Sequence, residues 1–473
     1  MRLERSRLLL VNMAGEFILL SDTEFNNLIY YELENKSELY KNLHAKHFIC
    51  KSQSDTAIDL LAIKYRTKKD FLSHFTSLHM FVVTQRCNQK CTYCQVSSQS
   101  ENGSFYEMNI ETAKKAVDMT LSSPSKYIKI EFQGGEPLIN FETVKYIVEY
   151  ANQEALKKNK NIEFVICTNL TTITDDMIKY ISDKSIFIST SLDGPQPIHD
   201  HNRNYRNEKG TYKDVIDGLN RVKEKLSQQY ISALMTTTRY SLDYPKEIVD
   251  EYVQNGLNSI FLRPLNPFGY AIEKINLLGY SPYEFITFYK RALDYIIKLN
   301  IEGIFLEEYF TTILLTRILT PFSTGFVDLQ FPAGTGIMGV IYAHDGKVYP
   351  SDEARMLAQV GDNTFCIGDI RTDSYRDIFY NYNMQKIIDS SIAEVLPGCS
   401  DCAFQIYCGI DPIRNYATQK DIIGNRTTNE SCYINKEIIK YLFSAISEGD
   451  RDKMDVFWSW ITNRKLSDIK SGQ

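Results

Sequence analysis

The pattern of apolar positions between residue 77 and about residue 275 alternates short hydrophobic runs with stretches of helical periodicity. This alternation is typical of a parallel sheet whose strands are connected by helices. Strands are predicted at residues 78–84, 127–132, 162–168, 186–192, 231–236 and 259–263, and helices at residues 110–121 and after Asn140, the predicted N-cap. Six strands are too few for an eight-stranded barrel. The expected fold class is therefore α/β, an open partial (β/α)6 barrel with its functional residues at the C-terminal strand ends.

The segments on either side of this region show other patterns. Apolar runs at residues 8–12 and 16–21 surround a Met-Ala-Gly turn and predict a β-hairpin. Two helical patterns follow, beginning near Asp22 and Glu38. Residues 433–473 predict helices anchored by Phe457, Trp458 and Trp460. A chain of 473 residues is too long for one compact core, so two or three domains are expected.

Composition excludes several classes of protein. The chain is 43% hydrophobic and 24% charged, as ordinary globular proteins are. The formal net charge of -6 gives no basic footprint for nucleic acid, and no apolar run approaches the roughly 18 residues of a membrane span. The N-terminal apolar run is too short for a signal peptide. Ten cysteines without an export signal therefore predict metal ligation in the reducing cytoplasm.

Three cysteines, Cys87, Cys91 and Cys94, follow the first predicted strand at the spacing C-x3-C-x2-C. Thiolates at this spacing can bind three irons of a four-iron, four-sulfur cluster and leave the fourth iron without a protein ligand. A closed electron-transfer cluster needs a fourth cysteine close by in the sequence, and none is there. The spacing therefore predicts an open iron that binds a substrate or cofactor. The alternative is a structural zinc site completed by His79.

This spacing, with Tyr93 before the last cysteine, resembles the signature of the radical S-adenosylmethionine (radical SAM) enzymes. The resemblance implies that the open iron of a 4Fe-4S cluster binds S-adenosyl-L-methionine, with Tyr93 beside it, and that one electron then releases a 5′-deoxyadenosyl radical. Gly134, Gly135, Glu136 and Pro137 follow the second predicted strand and match the family's Gly-Gly-Glu-Pro, which holds the methionine amino group. Paired glycines also let a ligand approach the backbone closely.

The ends of the third and fourth predicted strands supply further candidates for cofactor binding. Asn169 ends the third, and Ser191 and Asp193 lie at the end of the fourth. Peptide-modifying radical SAM enzymes carry a similar Ser-x-Asp-Gly-Pro and then an arginine, here Arg203, which implies contacts to the ribose or carboxylate of the cofactor. A guanidinium forms strong, charge-assisted hydrogen bonds with a carboxylate. The alternative is a turn with a solvated arginine, and His199 is interpreted as a loop residue.

A second group of cysteines lies far downstream, at Cys399, Cys402, Cys408 and Cys432. It resembles the C-terminal extension, of SPASM or twitch type, in which many peptide-modifying radical SAM enzymes hold two auxiliary clusters. The family's cysteine at the position of Pro412 and those of the hairpin around residues 333–351 are absent here. The resemblance therefore implies one auxiliary 4Fe-4S cluster with four thiolate ligands and no open iron. Zinc is the alternative, since four thiolates suit it equally well.

Asp352 follows the position of a missing hairpin cysteine. In the related sulfatase-maturing enzymes a carboxylate in that place takes a proton from the substrate. The resemblance thus implies that Asp352 is a catalytic base, with Glu353 the next candidate; the alternative is a solvated hairpin end. Cys167 is interpreted as a core residue, and Cys50 and Cys366 have no assigned partner.

Longer strings, including Leu43-His-Ala-Lys-His-Phe, Phe81-Val-Val-Thr-Gln-Arg-Cys-Asn-Gln and Phe261-Leu-Arg-Pro-Leu-Asn-Pro, resemble the His-Xaa-Ser system radical SAM maturases, specifically the B-type component. The resemblance implies modification of a small precursor peptide with His-Xaa-Ser repeats, through a radical cross-link by analogy with related maturases. It also implies a partner radical SAM maturase and an electron donor such as flavodoxin or ferredoxin.

The apolar pattern and the resemblances together divide the chain into five segments. Residues 1–75 are expected to form a winged-helix-like peptide recognition domain, 76–275 the radical SAM core, 276–328 a helical linker, 329–440 the auxiliary cluster domain and 441–473 C-terminal helices. Recognition of a leader peptide by strand addition is expected of the first segment, with a plain packing role as the alternative. Two other functions stay open for the whole chain: a formylglycine-generating sulfatase maturase, or a non-catalytic iron–sulfur protein that binds peptides.

Overall fold

A computed structural model describes residues 1–4, 7–50, 55–100 and 103–471. Its strands are β1 Arg2–Glu4, β2 Arg7–Val11, β3 Phe17–Leu20, β4 Leu78–Thr84, β5 Tyr127–Gly134, β6 Asn161–Cys167, β7 Phe187–Ser191, β8 Ile231–Thr236, β9 Ser259–Ile260, β10 Leu262–Arg263, β11 Glu307–Glu308, β12 Gly339–Tyr342, β13 Lys347–Tyr349 and β14 Gly368–Asp369.

Helices precede, connect and follow these strands. They are α1 Asp22–Ile29, α2 Glu38–Ala45, α3 Thr56–Lys68, α4 Ile110–Thr120, α5 Phe141–Lys157, α6 Asp175–Asp183, α7 Gln196–Asn202, α8 Tyr212–Lys223, α9 Pro245–Gln254, α10 Tyr270–Glu273, α11 Ile275–Leu278, α12 Pro282–Ile301, α13 Tyr309–Leu319, α14 Asp352–Gln359, α15 Tyr375–Phe379, α16 Tyr382–Asp389, α17 Pro412–Gln419, α18 Glu430–Glu448, α19 Arg451–Thr462 and α20 Leu466–Ser471. None of the helices in the described ranges is long and apolar enough to cross a membrane.

The main sheet confirms the predicted α/β class. Its strand order is β10-β8-β7-β6-β5-β4-β12-β13-β14, so six consecutive parallel strands follow one another in chain order from β4 to β10. The order runs from one edge strand to the other, and the sheet is therefore an open partial barrel. The six strands lie within a residue or two of their predicted positions, with the exception of the last.

The two faces of β5 show why the barrel has a polar interior. Ile128, Ile130 and Phe132 are buried in the main apolar cluster, together with residues of the surrounding helices. Lys129, Glu131 and Gln133 alternate with them and line the cavity inside the barrel. Because side chains alternate along a strand, one face packs on the helices while the other is left for chemistry.

The last predicted strand is divided into two. β9 pairs with β11, and β10 pairs with β8. Phe261 separates them, and its carbonyl oxygen accepts hydrogen bonds from both Met235 and Arg263. Its ring packs at 6.0 Å from the rings of Tyr309 and Phe310, so this aromatic contact accompanies the break in the strand.

β12 extends the sheet on the other side of β4, a pairing that the hydrophobic pattern does not predict. It runs parallel to β4, with Gly339 opposite Leu78 and Tyr342 opposite Phe81. β13 and β14 continue the sheet in antiparallel order. The C-terminal part of the chain is therefore hydrogen-bonded directly to the barrel, and α14 begins immediately beside the barrel's cavity.

The N-terminal segment contains three antiparallel strands, because β1 joins the predicted hairpin of β2 and β3. It packs on the C-terminal part of the chain: the ring of Phe17 lies edge-on to that of Phe443 at 5.1 Å, and the Tyr407 hydroxyl donates to the carbonyl of Gly15 at 2.8 Å. The predicted C-terminal helices are confirmed as α18 to α20. The limits of the five predicted domains stay a prediction.

Candidate active site

The barrel encloses a cavity of about 1190 Å³. It brings together residues from every motif that the sequence singled out between residues 87 and 353. Eleven of the predicted site residues line it: Cys87, Cys91, Tyr93, Cys94, Gly134, Gly135, Glu136, Asn169, Ser191, Arg203 and Asp352. Nine of them follow or end β4, β5, β6 and β7, as expected for a barrel of parallel strands, while Arg203 follows α7 and Asp352 begins α14.

The three cysteines lie in the loop that follows β4. Burial raises the pKa of the Cys91 thiol to about 11, a shift that the nearby Arg203 opposes and Cys94 reinforces. Burial, and next the neighbouring Cys91, raise the pKa of Cys87 well above its usual value. The thiols are thus close enough to repel one another as anions. A bound metal cluster would remove their protons and compensate that charge.

Gln89 lies between the first two cysteines, and the sequence did not predict it as a site residue. Its backbone N–H donates to the sulfur of Cys87 at 3.4 Å. Gln89 is 1% exposed, its Oε1 accepts from the Cys91 thiol at 3.5 Å, and its Nε2 finds no hydrogen-bond partner among the described residues. A buried amide beside two of the cysteines, with one N–H group unpaired, suits a site for an anionic iron–sulfur cluster.

The paired glycines are needed for a reason that the sequence did not indicate. A Cβ at Gly134 would collide with the carbonyl oxygen of Thr84, and a Cβ at Gly135 with that of Arg86. The backbone of the cysteine loop therefore lies directly against the end of β5. The Gly135 N–H donates to Thr84 at 2.9 Å, and the Glu136 N–H donates to Arg86 at 2.7 Å. The glycines permit this contact between two segments of the chain itself.

Glu136 connects the ends of two strands. Its carboxylate accepts hydrogen bonds from the Thr168 hydroxyl at 2.6 Å and the Asn169 N–H at 2.7 Å, both in the loop after β6. Burial raises the pKa of this carboxyl, and the three hydrogen bonds it accepts oppose the shift. Asn169 in turn donates from Nδ2 to the side-chain oxygen of Asn88, next to Cys87, at 2.9 Å. Pro137 is buried.

Tyr93, Asp193 and Arg203 form one hydrogen-bonded group. Arg203 donates to the Tyr93 hydroxyl at 2.7 Å, and that hydroxyl donates to Asp193 at 2.6 Å. Asp193 also accepts from the Thr236 N–H at 3.2 Å and is absent from the described lining of the cavity. The Arg203 Nε finds no partner among the described residues and is one buried donor left for a ligand. The geometry therefore suits Arg203 for ligand contact and Asp193 for holding Tyr93 in place.

The two histidines considered from the sequence, His79 and His199, are absent from the described lining of the cavity. His79 is fully buried in β4, where its two ring nitrogens lie 3.0 Å from the Tyr342 hydroxyl and 3.2 Å from the Thr76 carbonyl. Burial lowers its pKa to about 3. Both nitrogens are used in the core, which counts against His79 as a zinc ligand. His199 is buried in α7 rather than in a loop, with Nε2 at 3.2 Å from the Thr211 hydroxyl.

Other residues of the cavity wall were not expected. Cys167, interpreted as core, lines the cavity and donates to Glu131 at 3.4 Å. Arg263 is the last residue of β10, so it could have been predicted from the tendency of functional residues to lie at C-terminal strand ends. Asp328 does not follow a strand, and no motif beside it in the sequence indicated a site residue. Burial, with Glu353 nearby, raises the pKa of Asp328 to about 6.

Asp352 is the first residue of α14 and lines the barrel cavity. Its carboxylate forms an ion pair with Arg355, at 2.6 Å between Oδ1 and Nη2. The Asp352 side chain is 18% exposed and that of Arg355 only 2%. Asp352 is therefore close to the cavity but holds a buried cation. Glu353 lines the same cavity and accepts a longer hydrogen bond, 3.5 Å, from Asn266.

The four C-terminal cysteines surround a second cavity, of about 60 Å³. All four line it, and burial followed by the three other thiols raises the pKa of Cys408 to about 12. Arg426 donates from Nε to the sulfur of Cys399 at 3.1 Å, and Asn435 donates to that of Cys408 at 3.7 Å. No close group of three or more Cys, His, Asp or Glu side chains, of the kind that holds a single metal ion, is found among the described residues.

A profile of the radical SAM superfamily matches residues 81–252, which include the cysteine loop and the ends of β5, β6 and β7. Residues 81–252 form a radical SAM enzyme domain. Enzymes of this superfamily use a 4Fe-4S cluster and S-adenosylmethionine. The cavity suits both groups, since it is lined by three thiols at the sequence spacing C-x3-C-x2-C. Gln89 Nε2 and Arg203 Nε, unpaired among the described residues, add two buried donors.

Two curated relatives are similar to this chain over longer or shorter stretches. An uncharacterized protein of Methanocaldococcus jannaschii, MJ0907, is 34% identical over 39% of this chain, and the match spans 61% of the relative's own length. A cysteine-type anaerobic sulfatase-maturating enzyme of Clostridium novyi is 24% identical over 70% of this chain and 87% of its own.

Two solved structures share the fold of the radical SAM domain and of the segments beyond it. The enzyme anSMEcpe with bound AdoMet and Kp18Cys peptide superimposes with a TM-score of 0.65 and 21% identity, over 78% of this chain and 98% of its own. Streptococcus suis SuiB bound to the precursor peptide SuiA gives a TM-score of 0.54 and 16% identity, over 91% of this chain and 97% of its own.

The contact at the paired glycines leads to a prediction about the radical SAM cluster. Gly134→Ala places a methyl group where the Thr84 carbonyl lies, so the cysteine loop has to move. We expect anaerobically reconstituted protein to lose about four irons per chain, one cluster, with the rest of the fold retained. Iron analysis and circular dichroism measure the two effects.

Gly339→Ala is the matched control. Gly339 also lies in a strand, but a Cβ there meets its nearest neighbour, Leu78, at an ordinary 3.5 Å. Iron content in Gly134→Ala equal to that of the wild type and of this control contradicts the argument.

Proposed function

We propose that this protein is a radical SAM maturase that cleaves S-adenosylmethionine reductively and modifies a ribosomally made peptide. The observation that carries the proposal is the single cavity of about 1190 Å³, which joins the cysteine loop to the carboxylates at residues 352 and 353. A cofactor held at the cysteines and a peptide side chain near α14 would thus share one cavity.

The wall residues are assigned roles that follow from their positions. Cys87, Cys91 and Cys94 would hold the cluster, and the backbone at Gly135 would bind the methionine amino group. Arg203 would offer its Nε to the methionine carboxylate, and Ser191 would bind the ribose. When bound, the cluster and S-adenosylmethionine supply the 5′-deoxyadenosyl radical that abstracts a hydrogen atom. Tyr93 and Asp193 hold Arg203 in its orientation.

The proposed substrate is a precursor peptide with His-Xaa-Ser repeats, and the proposed product a radical cross-link. Sequence strings over most of the chain support this family, and SuiB, of the same fold, binds a precursor peptide. A partner radical SAM maturase and a flavodoxin or ferredoxin as electron donor complete the proposed system, which belongs in the reducing cytoplasm.

A sulfatase maturase that makes formylglycine is the second candidate function. It is supported by the match to the Clostridium novyi enzyme over 70% of this chain and by the fold of anSMEcpe. The absence of hairpin cysteines at residues 333–351 counts against it. The two candidates differ in substrate, so peptide mass distinguishes them.

We first predict the metal content and activity of the reconstituted protein. The wild type should hold about eight irons, two clusters of four, and cleave S-adenosylmethionine. Alanine at Cys87, Cys91 and Cys94 together should leave about four irons and abolish cleavage. Zinc at one equivalent beside four irons would assign the C-terminal cysteines to zinc instead.

The substrate is tested with the same two proteins. Each is co-expressed with the candidate His-Xaa-Ser peptide, or with a sulfatase-derived peptide, and the peptides are examined by tandem mass spectrometry. A mass change in the His-Xaa-Ser peptide that requires the three cysteines supports the proposal. Conversion of only the sulfatase peptide would establish the second candidate.

The next prediction concerns the base. Asp352→Asn removes the basic oxygen and also leaves Arg355 buried without its partner, at a cost of about 3 kcal/mol, the low end for a buried ion pair. If Asp352 accepts the substrate's proton, 5′-deoxyadenosine still forms while modified peptide is lost.

The double variant Asp352→Asn, Arg355→Gln separates the two roles, since no charge is left unpaired. Modified peptide should be absent from it as well. Recovery of modification in the double variant would show that Asp352 only holds Arg355, and Glu353→Gln then tests the neighbouring carboxylate.

The last prediction of this section concerns leader recognition at the outer edge of β3. Pairing with β2 alternates, so the amide of Leu19 points away from β2, as does the carbonyl of Phe17, which accepts from Lys46 at 2.7 Å. Leu19→Pro removes that amide donor, and we expect at least tenfold weaker peptide binding by fluorescence anisotropy, with cofactor cleavage retained.

Leu19→Ala is the matched control, because it shortens the same side chain and keeps the N–H. Equal affinity in the two variants would remove the edge of β3 as the leader site. Deletion of residues 1–75 is a poorer test, since it also uncovers Phe443 and Tyr407 beside the C-terminal cysteines.

A further inference from the structure

The loop between α17 and α18 brings a cation directly onto one of the C-terminal cysteines. Arg426 donates from Nε to the sulfur of Cys399 at 3.1 Å. Its Nη2 donates to the carbonyl of Ile423 at 2.7 Å, which fixes the guanidinium in its plane. The backbone of Gly398 lies beneath the arginine stem, where a Cβ would meet it at 3.3 Å. The contact to sulfur is therefore built by the fold of the loop.

Asn415 connects this arginine to a second cysteine. Asn415 is 4% exposed, and its Nδ2 donates to the carbonyls of Ile422 and Ile423, which holds the loop in shape. Its Oδ1 accepts from Arg426 at 3.5 Å and from Asn429 at 2.8 Å. Asn429 caps α18 by accepting the N–H of Cys432 at 2.8 Å. One network thus links the donor to the Cys399 sulfur with the backbone of Cys432.

The charges around this cavity favour an anion. Three cationic side chains line it, those of Arg414, Arg426 and Lys436, beside one acidic residue, Asp411. A guanidinium that donates to a thiolate forms a charge-assisted hydrogen bond. Such donors stabilise the reduced, more negative state of an iron–sulfur cluster more than the oxidised state, and this raises its reduction potential.

We propose that Arg426 is a positioning residue that raises the reduction potential of the cluster held by Cys399, Cys402, Cys408 and Cys432. The inference rests on the proposed iron–sulfur function of these cysteines. At the radical SAM cysteines, the described hydrogen-bond donors to sulfur are two neutral N–H groups, the backbone amide of Gln89 and the side-chain amide of Asn169. An arginine that donates directly to a cysteine sulfur therefore distinguishes the C-terminal site among the described contacts, and it suits that site to accept an electron.

The test is an EPR-monitored redox titration of the reconstituted full-length protein. Added S-adenosylmethionine changes only the signal of the cluster with an open iron, so the signal that does not respond belongs to the C-terminal site. Arg426→Gln should shift the midpoint of that signal to a more negative potential, with the iron content of the wild type. Arg426→Lys keeps the charge and loses the planar donor, and its midpoint should lie between the two.

Lys436→Gln is the matched control, since it removes a cation from the same cavity that donates to none of the four sulfurs among the described contacts. Its shift should be smaller than that of Arg426→Gln. An Arg426→Gln midpoint equal to the wild type, or shifted no further than Lys436→Gln, overturns the proposal. So does a wild-type midpoint in Arg426→Lys. Zinc in place of iron in the wild type overturns both this proposal and the proposed function of the site, and metal analysis before the titration identifies that case.

Discussion

The close contact between the end of β5 and the loop after β4 is the constraint on which the rest of the site depends. With glycine at 134 and 135, the two backbones approach closely enough for the loop's carbonyls to accept the N–H groups of residues 135 and 136. Glu136 then reaches the loop after β6, and Asn169 of that loop returns to Asn88 beside the first cysteine. Three successive βα loops are thus closed into one ring of hydrogen bonds. A side chain at either glycine would open the ring at its shortest link.

The second constraint is the pairing of β12 with β4. It places a strand from the C-terminal extension in the same sheet as the strand that carries the cysteine loop. α14 follows the β12–β13 hairpin, and its first turn, with Asp352 and Glu353, therefore reaches the barrel cavity. Because the connection is a backbone ladder rather than a contact between side chains, the distance from the cysteines to these carboxylates is set by the sheet itself.

Much of this architecture could be predicted from the sequence, since its signals are local. Three of these signals each lie within fewer than ten residues: the apolar run of β4, the alternation in β5 and the cysteine spacing. The pairing of β12 with β4 could not be predicted in this way, because the partners are about 260 residues apart and nothing within either strand specifies the other. The break at Phe261 depends on rings that arrive from α13 and beyond, and periodicity does not report them. The positions of Asp193 and Cys167 relative to the cavity could not be predicted for the same reason: the motif gives a strand end, but neighbouring strands decide which side chains reach the cavity.

The packing of the N-terminal sheet against the C-terminal cysteines has a consequence for how the two regions act. Phe443 contacts Phe17 on one side and the rings of Phe404 and Tyr407 on the other. Phe404 and Tyr407 lie between the second and third cysteines of the C-terminal group, so the small sheet and that group share one apolar layer. Arg317 strengthens the same layer, because it is buried and donates to the carbonyls of Ile406 and Tyr407. A peptide that binds the edge of β3 would therefore press on a surface continuous with the C-terminal cysteine site. Tight packing transmits such displacements, since an interior without voids cannot absorb them locally.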